Sequence, residues 1–326
     1  MIKVGIVGSA GYTAGELFRL LVHHPQVQID FAYSTSNAGN PVSSVHQDLL
    51  GTADDLFFTD EVNPQADMVF LCLGHGHSKE FLQKNPFSPQ TKIIDLGNDF
   101  RLINDAVFGE RTFVYGLPEF QKEAIRQAKN IANPGCFATA IQLALLPLAD
   151  AGLLSSDVHI QAVTGSTGAG VSLSETSHFS WRESNFSYYK PFTHQHLGEI
   201  GETLKTEMPS FASKLWFMPF RGNFTRGIFA TLYTDFDGSE NDATDLYRAF
   251  YENSAFTFVS EKSLHLKQVV NTNKAFVHLH KHEDKLLITS CIDNLLKGAS
   301  GQAVQNMNLM YNLPEKTGLE LKAGYF

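Results

Sequence analysis

Short, almost continuously apolar runs alternate with amphipathic stretches through the first 135 residues. IKVGIVG, VQIDFAYST, ADMVFLCLG, KIIDLG and KNIANPG are rich in β-branched and aromatic residues, whereas GELFRLLVHH and SKEFLQKN space their apolar positions at helical intervals. A strand covered on both faces needs apolar residues on both, so these runs predict βαβ units around a parallel sheet. Beyond Gly135 the texture changes. A helix is expected at about 137–150 (FATAIQLALLPLAD), followed by the longer β-like segments VHIQAVTG, KLWFMPF, GIFATLYTDF, AFVHLHKH and KLLITSCI. Helices are expected at 196–206, 241–251 and 297–311. This order predicts an α+β region with a mainly antiparallel sheet packing its helices on one face, and a last helix whose apolar side can return to the first half. No repeat or low-complexity linker interrupts the chain, so the boundary near 133 is a change of pattern.

Length changes the picture first, because 326 residues suit two domains better than one core. With 43% hydrophobic and 18% charged residues, and no apolar run approaching the roughly 20 residues of a membrane span, a globular chain without a membrane anchor is expected. The net charge of −9 comes with no basic block, which removes the phosphate neutralisation that nucleic-acid binding needs. MIKVGIVG enters a strand at once, without the segments of a secretory signal. Three cysteines, Cys72, Cys136 and Cys291, form no C-x-x-C pair. Both features point to a reducing, cytoplasmic setting without disulfides or a zinc ribbon.

Candidate chemistry begins with GIVGSAGYTAGEL, where Gly5, Gly8 and Gly11 separate a strand from a helix. Glycines so placed let main-chain N–H groups approach a pyrophosphate at a helix N-terminus, so the loop Gly8, Ser9, Ala10, Gly11, Tyr12 and Thr13 is a candidate dinucleotide site. The second strand ends in AYSTSNAG, with no carboxylate for a ribose 2′-hydroxyl. Ser34, Thr35, Ser36 and Asn37 can hold a 2′-phosphate through neutral hydrogen bonds, which favours NADP, although no arginine follows. In NPGCFATA, Pro134-Gly135 breaks the chain immediately before an apolar helix, and Cys136 sits at the junction. Two readings compete: a packed small hydrophobe, or a thiolate favoured by the helix dipole. Cys72 and Cys291 lie in apolar strands and read as packed.

A cysteine nucleophile beside a nicotinamide implies thioester chemistry and a proton carrier. His194 and His196 in FTHQHLGEIGETL are the best placed, and His196 shares a helix face with Glu199 three residues on. Asp95, Asn98, Asp99 and Arg101 end a strand in IIDLGNDFRL, where the guanidinium could fork onto a phosphate or carboxylate. The loop AVTGSTGAG (162–170) offers Ser166, Thr167 and main-chain amides expected to be free for an anion. His278, His280 and His282 alternate along one strand, but Lys281 intervenes and no carboxylate or cysteine completes a ligand set, so no metal is expected.

Taken together, GIVGSAGYTAGEL, DLGNDFRL, YGLPEF, NPGCFATA, TGSTGAG, HQHLGEI, TRGIFAT and DNLLKGASGQAVQNMNLM resemble, in order, the blocks of the N-acyl-γ-glutamyl-phosphate reductases, relatives of the aspartate-semialdehyde dehydrogenases. The resemblance implies a Rossmann-type parallel domain over 1–133 and 295–326, completed by the C-terminal helix, and an α+β catalytic and dimerisation domain over 134–294. It also implies NADPH as reductant, an acyl phosphate substrate with release of inorganic phosphate, and a homo-oligomer, dimer or tetramer. Cys136 matches the nucleophile of that family and His196 its acid/base, with His194 as a close neighbour. Arg101 matches the phosphate-holding position, and Ser166, Thr167 and Gly168 fall in the loop between cofactor and substrate. Asn294 falls where the nicotinamide amide is met, and Arg226 in the family's R-G-I block reaches toward substrate, with Glu199 and His194 nearby. Asn223, Phe224 and Val171 depart from the usual pattern and leave the acyl group, acetyl or succinyl, open.

Overall fold

A computed structural model describes the chain from Met1 to Tyr325. Two compact units form, Met1–Pro134 with Ala299–Glu320, and Gly135–Gly298 with the residues from Leu321. The sequence-level bound at 295 moves to 299 for a local reason. The Leu295 and Leu296 N–H groups donate to Asp293 Oδ1, and Gly298 N–H donates to Asp293 O, so this turn is tied to the end of the second unit's sheet.

The first unit runs β1 (Ile2–Val7), α1 (Tyr12–Leu21), β2 (Val27–Tyr33), β3 (Phe58–Thr59), β4 (Met68–Leu71), α2 (Ser78–Lys84), β5 (Lys92–Asp95), β6 (Val107–Phe108), β7 (Arg111–Tyr115), α3 (Pro118–Gln127) and β8 (Asn130–Ala132). Its sheet has the order β3-β2-β1-β4-β5-β8-β7-β6, parallel throughout except for the edge hairpin β6/β7. Every residue of β4 is buried, as its unbroken hydrophobicity demands.

The second unit runs α4 (Cys136–Asp150), β9 (Val158–Thr164), α5 (Phe179–Arg182), β10 (Ser187–Tyr188), α6 (His196–Glu207), β11 (Leu215–Arg221), β12 (Ile228–Asp235), α7 (Glu240–Tyr251), β13 (Thr257–Val259), β14 (Ala275–His282) and β15 (Lys285–Ile292). Its sheet order is β10-β11-β9-β12-β15-β14-β13. β9/β11 and β13/β14 are parallel, and the other pairs are antiparallel. Helix α4 is buried from Phe137 to Ala149 and packs on β12, β14 and β15, with α6 and α7 beside it. Pro147 inside this helix deprives the Leu143 carbonyl of its donor. Tyr251 replaces the missing N–H with its hydroxyl at 2.5 Å, and Tyr247 donates likewise to Ala144 O. The proline is therefore tolerated because α7 supplies the hydrogen bond.

The chain returns to the first unit in α8 (Gly301–Met310). The helix expected at 297–311 is shorter, because Leu296–Ser300 form a π turn. It is also buried on every side, polar residues included. Asn306 Nδ2 donates to Gly116 O and Asn133 Oδ1, and Asn308 Oδ1 meets His24 Nε2 at 3.0 Å, so both side chains are anchored inside the unit.

Candidate active site

Gly135 is the N-cap of α4, in extended backbone (φ −69°, ψ 149°) with no side-chain cap, and Cys136 is the first helical residue. Thr139 N–H already reaches Gly135 O at 2.8 Å, so the N–H groups of Cys136, Phe137 and Ala138 have no intrahelical acceptor. The half-buried sulfur therefore lies in the positive end of the helix dipole. Behind it is Gly298, where any Cβ would stand 2.8 Å from Cys136 Cβ. A side chain at 298 would displace the cysteine. The other two thiols are held protonated by burial, with Cys72 pushed up to about 12 and Cys291 also raised.

Glu199, on the first turn of α6, accepts the Gly135 N–H at 3.0 Å through Oε2, and its Oε1 lies 3.9 Å from His196 Nε2. One carboxylate thus touches both the cysteine's helix start and a histidine. His194 Nδ1 accepts the His196 N–H at 3.2 Å, and the two rings lie 4.6 Å apart. Both pack edge-on against Phe137, the residue after the cysteine.

Two further residues enter this cluster without any motif to announce them. Tyr189 packs edge-on to His194, and Arg221 lies over its ring with the guanidinium carbon 4.8 Å from the centroid. Burial raises the Tyr189 hydroxyl pKa, the Cys136 charge raises it further, and Arg221 opposes both. The signal that could have found them is topological, since β10 pairs Ser187 with Arg221.

The 165–170 loop corrects one expectation, because its amides are already used. Gly165, Ser166 and Thr167 donate their N–H groups to Gly227, Phe224 and Thr225 carbonyls, and Gly168 donates to Gly165 O. Asn294 locks the same junction, accepting from Gly227 N–H at 2.7 Å and donating to Thr167 Oγ1 at 3.0 Å. Arg226 forks onto wholly buried Asp293 with two contacts of 3.1 Å. This part of the site is thus a braced scaffold. Among the histidines of β14, His278 bonds Ser260 O and His280 lies 3.2 Å from Glu240, and among the described residues no His, Cys, Asp and Glu group could hold a metal ion.

The first unit carries the residues expected for a dinucleotide. Gly8 has φ +74°, and a Cβ there would lie 2.7 Å from Cys72 O, so the tight turn is open only to glycine. Gly11 caps α1 in extended backbone without a side-chain cap and without an acid in the first turn, so the N–H groups of Tyr12, Thr13 and Ala14 have no intrahelical acceptor. Ala10 lies between the glycines. Ser9 does not point outward: its hydroxyl and N–H both donate to Tyr33 O. Ser34, Ser36 and Asn37 gather within 3.0–3.5 Å of one another at the end of β2, with no carboxylate in the cluster. This cradle fits a dinucleotide. Arg101 is buried, with Nε on Asn133 O and Nη2 on Leu96 O.

Residues 3–128 match the family described as the semialdehyde dehydrogenase NAD binding domain, and residues 136–294 match the semialdehyde dehydrogenase dimerisation domain. The chain is 60% identical over 327 residues to an N-acetyl-gamma-glutamyl-phosphate reductase of Christiangramia forsetii, and 61% over 326 residues to one of Flavobacterium johnsoniae. Each alignment covers 100% of both chains. Among solved structures, aspartate semialdehyde dehydrogenase II of Vibrio cholerae matches with a TM-score of 0.74 over 96% of this chain and 99% of that one, at 15% identity. The enzyme of Candida albicans, solved with NADP, matches at 0.69 and 15% identity over 95% and 98%. The solved structures share the fold; the whole-length identity, carried through both units, makes this chain a member of the N-acetyl-γ-glutamyl-phosphate reductase family of semialdehyde dehydrogenases.

Proposed function

We propose that the chain reduces N-acetyl-γ-glutamyl phosphate to N-acetylglutamate 5-semialdehyde and inorganic phosphate with NADPH, a step of arginine biosynthesis. The observation that carries this reading is the 60–61% identity to reductases of that name across the full length of both chains. The Cys136 thiolate attacks the γ-carbonyl carbon, the carbon–oxygen bond to phosphate breaks, and phosphate leaves with the electron pair to give a thioester. First-turn N–H groups of α4 stabilise the oxyanion as it forms. When bound, the nicotinamide supplies the hydride that takes a thioester carbon to the aldehyde level. Collapse of the resulting thiohemiacetal breaks the carbon–sulfur bond, and protonated His196 hands its proton to the departing sulfur.

Glu199 near His196 Nε2 supports that role for His196, while His194 is engaged by main-chain N–H. Arg101 would hold the phosphate, and Ser166 and Arg226 keep the substrate side in shape. Gly8, Gly11 and the first turn of α1 would hold the pyrophosphate, and Ser34 and Ser36 the 2′-phosphate that separates NADP from NAD. The dimerisation-domain match supports a homo-oligomer.

The test runs the reaction backward, following phosphate-dependent NADP⁺ reduction with N-acetylglutamate semialdehyde. Wild type turns over and Cys136→Ser does not, while NADPH binding survives the substitution. Turnover by Cys136→Ser would remove the nucleophile from the mechanism.

A further inference from the structure

Arg182, the last residue of α5, is only 8% exposed. Its Nη2 donates to Asn185 O at 3.3 Å, but its Nε and Nη1 are buried and meet no hydrogen-bond partner among the described residues. Arg221 stands close enough that its charge works against that of Arg182. Arg221 itself bonds Thr176 Oγ1 at 2.9 Å and covers Tyr189, whose hydroxyl it also meets. Neither arginine has an ion pair among the described residues. A buried guanidinium with two open donors beside a second guanidinium is costly by itself, and a bound anion offsets that cost. Tyr189, in turn, is near enough to Cys136 for each to feel the other's charge. Tyr189 packs edge-on to His194, which packs on Phe137 beside Cys136, and so ties Arg221 to that cluster.

The reading of this site as an acyl-phosphate reductase, on which the next step rests, puts the reacting γ-carbonyl at Cys136. The rest of an N-acylglutamyl substrate carries a carboxylate on the α-carbon, and a second one if the acyl group is dicarboxylic. A carboxylate accepts short, charge-assisted hydrogen bonds from guanidinium N–H groups and can sit between two arginines. We propose that Arg182 and Arg221 form a carboxylate clamp that recognises the non-reacting end of the N-acylglutamyl substrate and sets specificity for it. Arg182 supplies two unpartnered donors, Nε and Nη1, one on each edge of the guanidinium. Arg221 adds charge and holds Tyr189 against the cluster.

The experiment uses the full chain and phosphate-dependent NADP⁺ reduction with three aldehydes: N-acetylglutamate semialdehyde, N-succinylglutamate semialdehyde and 4-acetamidobutanal, which lacks the α-carboxylate. Arg182→Gln and Arg221→Gln are expected to raise KM for the acylglutamate semialdehydes by about tenfold or more, with kcat within about threefold and KM for NADP⁺ unchanged. Both should also erase most of the wild-type preference over 4-acetamidobutanal. Equal losses on the acetyl and succinyl substrates identify the α-carboxylate as the ligand, whereas a loss confined to the succinyl substrate identifies the far carboxylate. Arg182→Lys, which keeps the charge but not the guanidinium donors, should recover only part of the affinity. Unchanged KM values in a wild type that turns over would overturn the clamp alone. So would an equal loss on all three aldehydes, the mark of a structural role, or a changed oligomeric state with unchanged KM. Absence of wild-type turnover on both acyl substrates would overturn the reaction reading and the clamp with it. Should Arg182→Gln fail to fold, Arg221→Gln at its strand end carries the same comparison.

Discussion

Helices α1 and α4 begin in nearly the same way and end up serving different chemistry. Each follows a strand of the parallel sheet, each is capped by an extended glycine, Gly11 or Gly135, and neither has a side-chain cap or an acid in its first turn. The difference lies in what stands at the helix start. At α1 the glycine N-cap supplies no side-chain cap, while at α4 a cysteine occupies the first position and Glu199 takes the N-cap N–H at 3.0 Å. Helix α2 shows a third outcome, in which Asp99 accepts from the N–H groups of Gly76, Ser78 and Lys79 and closes the end. The same partial positive charge is thus a cradle when left open, a polarising field when a thiol sits in it, and a structural cap when a carboxylate fills it.

The comparison breaks most severely at Gly8. Valine there must adopt φ +74° and push its Cβ against Cys72 O, now 2.7 Å from the ideal position, so the cradle has to deform. Backbone strain of this kind costs about 1–3 kcal/mol, which corresponds to a loss of NADPH affinity of about 5- to 150-fold in Gly8→Val. Fluorescence titration with NADPH measures the loss, and the iodoacetamide alkylation rate of Cys136 serves as the control. Affinity equal to wild type would mean that the loop does not carry the pyrophosphate.

Glu199 sharpens the contrast because its removal should move two readouts in opposite directions. Glu199→Gln keeps an acceptor for the Gly135 N–H but deletes a negative charge beside the helix start and 3.9 Å from His196 Nε2. A thiolate is then less opposed, so alkylation of Cys136 at fixed pH should accelerate by about threefold. Turnover should fall by about tenfold, because His196 loses the charge that favours its protonated form. If both rates moved the same way, Glu199 would be acting on one partner only.

How much of this was legible in the sequence depended on how local each cause is. Strands β4, β9, β14 and β15 were readable because burial on one or both faces writes itself into consecutive residues. Strand β7 buries only Phe113 fully, and α3 contains a non-helical Gln121, so neither leaves a clear period. Cys136 and Gly8 were legible because a helix start is made by its own neighbours. The fates of Ser166, Asn294 and Arg226 were not, since their partners Phe224, Gly227 and Asp293 arrive by sheet pairing and chain return. Tyr189 and Arg221 escaped for the same reason: their closeness follows from the β10/β11 pairing.

The last effect falls on stability alone and separates two neighbouring carboxylates, Asp99 inside the α2 cap and Asp95 just outside it. Asp95 is wholly buried at the end of β5, and burial chiefly raises its pKa to about 6. Hydrogen bonds from Ser78 Oγ at 2.6 Å and Gly97 N–H at 3.1 Å pull it down, Asp99 pushes it up and Arg101 pulls it down. An unfolded aspartate titrates near about 3.9, so the folded chain binds this proton more tightly. Its contribution to stability is fully present below about 4 and is lost as pH rises through about 6, a change on the order of 3 kcal/mol. Asparagine does not ionise and keeps an oxygen for Ser78 and Gly97. Relative to wild type, Asp95→Asn should therefore gain stability between pH 4 and 7, with urea midpoints of the two proteins diverging in the variant's favour as pH rises. A gap that stays constant across that range would mean Asp95 titrates as it does in the unfolded chain, and that the Ser78 and Gly97 donors together cancel the cost of its burial.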